Sequence, residues 1–220
     1  MNLPANLLAT TWYWTAWVVW GALLGVSLWH APWSRLKNGE HFNLWCGMIV
    51  FLVFVWSMKA GVYPGLNLHL TGVMLFTLAF GPTLAFIGLN FVLLGLALNG
   101  AQEALSFAVS ALTIAGVGVA VSFSVFSCVN RFLPKQPFIY IFLNGFFGSA
   151  LSVFAIGCTS CLMLSSAGIY TWEFLLENYL LYFVLLGFSE AWLSGMVVTL
   201  CIVYRPGALL TFDEERYLKS

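Results

Sequence analysis

No Asp, Glu, Lys or Arg occurs between Lys59 and Glu103, between Glu103 and Arg131, or between Lys135 and Glu173. A run of about 20 apolar residues crosses a hydrocarbon core of about 30 Å as a helix, because the helix satisfies every backbone polar group within the segment. The runs are continuous and lack the period-two alternation of a barrel strand, so helices are expected. Hydrophobic residues are 61% of the 220 and charged residues 7%, against about 45–50% and about 25% in an ordinary soluble domain. That excludes a water-exposed globule. Ten Trp, eight Tyr and twenty Phe suit anchoring at membrane interfaces, and twenty Gly permit close helix approach. Eight Lys/Arg are balanced by eight Asp/Glu, so no basic face exists for phosphates and nucleic acid is excluded as a partner.

Breaking the chain at charges, Pro and Gly predicts seven spans, 12–29, 44–58, 68–80, 82–98, 104–129, 138–165 and 178–204. The expectation is an all-α, polytopic membrane helix bundle in which residues 1–220 form a single integral membrane domain, multi-pass in a cell (inner) membrane. The opening Met1-Asn2-Leu3-Pro4-Ala5-Asn6 has no positive n-region, so Met1 is read as the mature start. Arg35, Lys37, Arg131, Lys135, Arg205, Arg216 and Lys219 fall on one side of the series and only Lys59 on the other. By the positive-inside rule the N-terminus is outside and the C-terminus cytoplasmic.

The third span, 68–80, is too short to cross alone and ends at Gly81-Pro82, where Gly can cap one helix and Pro open the next. An inset helix is expected there. The segment Gly61-Val62-Tyr63-Pro64-Gly65-Leu66-Asn67 reads as an outer loop that runs into His69. Interrupted hydrophobic segments point to transport sites, because non-helical backbone at membrane depth must line a cavity or be buried in protein.

The stretch Gly65-Leu66-Asn67-Leu68-His69-Leu70-Thr71-Gly72, followed by Gly81-Pro82, resembles the S-G-H-L-L-G…G-P segment of the cobalt/nickel substrate-capture subunits of energy-coupling-factor transporters, the CbiM/NikM group. Phe188-Ser189-Glu190-Ala191-Trp192-Leu193-Ser194-Gly195-Met196-Val197-Val198 with Tyr204-Arg205-Pro206 resembles that family's P-E-A-L-I-T-G-L-V-V…R-R-P ending. The resemblance implies a non-enzymatic membrane subunit that captures a divalent metal outside the cell. A transmembrane coupling protein and cytoplasmic ATPase subunits would drive import. This chain has no Gly-Lys-Ser/Thr phosphate loop of its own.

The resemblance also implies a four-nitrogen site made by the terminal amine, the amide nitrogen and imidazole of a position-two histidine, and a loop histidine. Such a site suits Ni, Co or Cu. His69 matches the loop ligand, and Met1 supplies the amine. Position two is Asn2, so one imidazole of the set is missing. The fifth helix also departs from the family, with Ala108-Val109-Ser110-Ala111-Leu112-Thr113 in place of G-A-N-x-L-N.

The residues themselves leave other readings open. His69 can be an interfacial histidine bonded to a carbonyl, and a helix start, being partly positive, both disfavours imidazolium and opposes a cation. Cys158 and Cys161 share a helical face near Met163, where they could bind soft metals, form a redox couple or merely pack. Glu190 is the only carboxylate deep within a span, and must be paired, protonated or part of an ion path. Cys46, Cys128 and Cys201 read as packing residues, His30 and His41 as interface residues, and Asn67, Asn90 and Asn144 as hydrogen-bonding glue. Gly21 and Gly25 form a small-residue packing face. The alternative function is an accessory or structural subunit of another membrane complex that has lost metal capture, as Asn2 suggests; a thiol-based copper or redox protein ranks below it.

Overall fold

The computed structural model describes residues 7–58 and 60–218. Met1, Asn2, Lys59 and Lys219 lie outside the described residues. Helix α1 is Thr10–His30 and α2 is Gly39–Ser57. A hairpin of β1, Ala60–Tyr63, and β2, Leu66–Leu68, follows. Then come α3, Val73–Leu98; α4, Phe107–Phe132; α5, Pro137–Ser166; α6, Trp172–Tyr204; and a short α7, Glu214–Leu218. Helices α2 to α6 are long and apolar enough to cross a membrane. Helix α1 turns Trp14, Val18, Val26 and Trp29 outward, as a lipid-facing helix does.

Local chemistry sets the boundaries. The Asn38 side chain accepts from Glu40 N, so α2 begins at Gly39 rather than at the expected 44. Thr171 Oγ1 accepts from Phe174 N, starting α6 before the expected 178. Pro137 occupies the first turn of α5. The expected loop at 61–67 is instead an antiparallel hairpin with Ala60 opposite Leu68 and Gly61 opposite Asn67. Pro64-Gly65 makes its turn, Gly65 having φ 79°.

Helix α3 is broken at Gly81, with φ 78° and ψ 171°. In a straight helix Phe76 and Gly88 would lie about 18 Å apart at 1.5 Å per residue. Yet a Cβ on Gly88 would fall 2.5 Å from Phe76 Cζ. The two arms, 73–80 and 82–98, therefore fold back on each other. The long arm runs alongside α2: Trp45 Nε1 donates to Leu84 O at 3.2 Å, and a Cβ on Gly95 would lie 2.8 Å from Val53 Cγ2. The inset third helix and its Gly-Pro terminus are thus present, and the two arms with the other five long helices match the seven predicted segments.

The break leaves carbonyls without helical donors. Pro82 has no N–H to offer Leu78 O, and the turn at Gly81 takes the next donor away from Ala79 O. The segment after α6 replaces them. Leu210 N donates to Ala79 O at 3.1 Å and Thr211 N to Leu78 O at 3.2 Å, while Thr211 Oγ1 donates to Leu78 O at 2.9 Å. Tyr140 O–H in turn donates to Thr211 Oγ1 at 2.6 Å. The rings of Tyr140, Phe212 and Tyr217 pack together with centroids 4.8–5.3 Å apart, and Tyr217 O–H reaches Asn130 Oδ1 at 3.4 Å.

These contacts define two ends of the bundle. The tail end gathers Arg35 and His41, which both face Gly207 O, and the α4–α5 turn beside Asn130. The hairpin end gathers the start of α1, where Trp17 Nε1 donates to Leu105 O at 3.3 Å, and the α5–α6 link, where Tyr170 O–H donates to Pro64 O at 3.0 Å. Asn90 is interhelical glue as expected, accepting from Trp20 Nε1 at 2.6 Å. Asn144 is fully buried, and its side-chain amide has no hydrogen-bond partner among the described residues. The Gly21 and Gly25 face has no neighbour within 4 Å, so it is not used inside the described fold.

Thr211→Val removes the hydroxyl that links Tyr140 to Leu78 O and leaves a partly buried O–H without its acceptor. The expected cost is about 1–3 kcal/mol, read as a lower melting temperature of the purified protein in detergent, with Thr211→Ser close to wild type.

Candidate metal-capture site

Residues 69–72 join β2 to the inset arm of α3 without helical or strand pairing of their own. Their backbone polar groups therefore need partners from elsewhere. Gly72 has φ 64°, the left-handed region, and a Cβ there would approach Leu52 Cδ2 to 2.8 Å. Only glycine fits both requirements. His69 is 4% exposed and Thr71 1%.

Two long helices grip the stretch. From α2, Trp56 lays its ring against the imidazole, centroids 4.8 Å apart and tilted 36°, and its Nε1 donates to Thr71 O at 3.2 Å. From α6, Glu190, itself 2% exposed, accepts from three donors. Oε2 takes Thr71 N at 2.8 Å, and Oε1 takes Thr71 Oγ1 at 3.0 Å together with Gly72 N. Of these, Gly72 N is the cap N–H that α3 cannot satisfy at its own start, and Thr71 N lies just before it. Upstream, Tyr179 O–H of α6 reaches Asn67 O at 3.5 Å.

His69 Nδ1 faces Leu70 O at 3.2 Å. A carbonyl only accepts, so in the neutral ring this bond places the proton on Nδ1 and the lone pair on Nε2. That is the tautomer in which a ligating histidine is commonly held by a backbone carbonyl. A late transition metal accepts such a nitrogen.

The thiols and the other two histidines singled out in the sequence are not gathered here. Among the described residues no group of three or more His, Cys, Asp and Glu assembles. Cys158 and Cys161 lie on α5 as free thiols, Cys161 fully buried, and Cys128 is exposed rather than packed. His30 Nδ1 faces Val26 O of its own helix, and His41 lies at the tail end. Arg35, partly buried there, has its pKa lowered from the ordinary guanidinium value by desolvation. Beside Glu190 runs a groove of about 440 Å³ walled by Phe51, Leu52, Leu75, Leu193 and Val197. Such walls suit hydrocarbon rather than a hydrated ion. Sequence reasoning missed Trp56 and Tyr179; aromatic residues are too common in this chain to single out two.

The profile of CbiM, the cobalt uptake substrate-specific transmembrane region, matches residues 2–208. The chain belongs to the CbiM family. As a CbiM member it is a multi-pass membrane component of transition-metal uptake. Two solved structures share its fold, both with a TM-score of 0.76. One is described as the crystal structure of a truncated transition metal transporter, 16% identical, covering 93% of this chain and 99% of that one. The other is described as a transition metal transporter, 15% identical, covering 92% and 93%. At such identity the likeness concerns architecture alone. A comparison with curated protein sequences returned no match.

Trp56→Phe keeps a ring beside His69 but removes the donor to Thr71 O. The expected loss is about 1–3 kcal/mol, for a buried carbonyl left without its partner, measured by thermal denaturation in detergent.

Proposed function

We propose that this chain captures a divalent transition metal, of nickel or cobalt type, at the extracytoplasmic face, as the substrate-specific subunit of an energy-coupling-factor type transporter. The observation that carries the reading is the His69 loop: an imidazole with Nδ1 turned to a backbone carbonyl, clamped from α2 and α6 at the hairpin end. The metal is the cargo. His69 supplies one nitrogen, and the Met1 amine with Asn2 supplies the remaining donors. Asn2 offers weaker ligand atoms than a second imidazole, so affinity is set below that of a site with two imidazoles.

The orientation rests on charge. Arg35, Lys37, Arg131, Lys135, Arg205 and Arg216 belong to segments at the tail end, which is read as cytoplasmic. Residues 1–220 act as one integral membrane unit without enzymatic activity. Energy comes from partners, a transmembrane coupling protein and cytoplasmic ATPases. Asn2 also favours the second reading, an accessory subunit that no longer captures metal; co-purification with coupling and ATPase subunits supports the transporter, and co-purification with an unrelated membrane complex supports the accessory role.

Equilibrium titration of purified full-length protein with Ni(II) and Co(II) tests the reading. Wild type is expected to bind, His69→Ala to lose at least about 10-fold in affinity, and Asn2→His to bind more tightly. Negligible binding by wild type, or binding unchanged in His69→Ala, overturns it. The double variant Cys158→Ser, Cys161→Ser is expected to bind as wild type does.

A further inference from the structure

We propose that Glu190 is the positioning residue of the capture loop: through Thr71 and Gly72 it fixes where the His69 imidazole stands and offsets the positive start of α3 beneath a captured cation. The proposal rests on the reading of His69 as a metal ligand. Glu190 does not touch the metal.

Three observations carry it. First, all three groups facing the carboxyl are donors, two backbone N–H groups and one hydroxyl. An acceptor-only carboxylate answers all three at once. A neutral amide cannot, because its NH2 would oppose one of the backbone N–H groups. Second, α6 holds the loop on both sides of the imidazole, at Asn67 through Tyr179 and at Thr71 through Glu190. Those two residues are eleven positions apart, about three turns, which returns them to the same helix face. The loop is thereby laid along α6, and a shift of the carboxylate moves the segment bearing His69.

Third, the first N–H groups of α3 carry partial positive charge, which by itself repels a cation held just upstream. Glu190 accepts from the cap residue Gly72 N and from Thr71 N just ahead of it, so its carboxylate stands at the mouth of that helix start and compensates it. Water is excluded there, Glu190 and Thr71 being buried, and the compensation is correspondingly stronger than at a surface.

The test is Ni(II) titration of purified full-length protein, with affinity and stoichiometry read separately. Glu190→Gln, close in shape but uncharged, is expected to weaken binding by about 10- to 100-fold, the usual effect of losing an outer partner of a ligand, at unchanged stoichiometry in monodisperse, helical protein. A purely structural role predicts the opposite pattern, fewer competent molecules each binding with wild-type affinity, and that result overturns the proposal. Should Glu190→Gln fail to fold, Thr71→Val is used; it leaves the carboxylate on both N–H groups but removes the hydroxyl, and is expected to weaken binding several-fold. Wild-type affinity in folded Thr71→Val or Glu190→Gln, with binding lost in His69→Ala, sinks the positioning role alone. Wild-type affinity in His69→Ala sinks the metal site and this proposal with it.

Discussion

Inside a bilayer an interrupted helix must find its missing hydrogen bonds within the protein, because lipid supplies none. Everything distinctive in this fold follows from one interrupted element, the inset arm of α3. Its head is a loop whose N–H groups and carbonyl are taken by Glu190 and Trp56. Its foot is a Gly-Pro break whose carbonyls are taken by Leu210 and Thr211. Without these partners four or more buried polar groups would stand unpaired, each at a cost of about 1–3 kcal/mol.

The same bonds shape the chemistry at the head. Residues 69–72 are neither helix nor strand, so their side chains are placed by outside contacts. Trp56 supplies a flat wall for the imidazole, and Leu70 O selects its tautomer. Glu190 brings a carboxylate to a helix start that would otherwise be repulsive to metal ions. A loop in a CbiM-family protein is thereby made rigid in a way that free, hydrated loops are not.

Much of the scaffold was legible in the sequence because it depends on local features. Charge-free runs mark the spans, and Gly81-Pro82 marks the break, since only those residues combine a left-handed turn with a missing donor. The hairpin was not legible: strands of four and three residues are too short to display alternation, and Pro64-Gly65 reads as any turn. Nor was the tail, whose value lies in carbonyls more than 130 positions earlier. Glu190 stood out as a buried acid, but its partners at Thr71 and Gly72 are 119 and 118 positions away and no local pattern names them. His69 came forward through family resemblance, whereas its contact with Trp56 belongs to three-dimensional packing. The ligands assigned to Met1 and Asn2 lie outside the described residues, so the sequence alone speaks for them.

Apart from Trp56, the anchors of the inset arm come late in the chain, Glu190 for its head and Leu210 with Thr211 for its foot. When the arm leaves the ribosome, neither exists. The early helices must therefore enter the membrane and wait, with an unfinished element among them, until α6 and the segment behind it arrive. Completion of the histidine-bearing loop is thus tied to the last stages of translation, and a nascent protein halted before residue 190 would contain His69 and Trp56 yet lack the carboxylate that takes the Thr71 and Gly72 N–H groups.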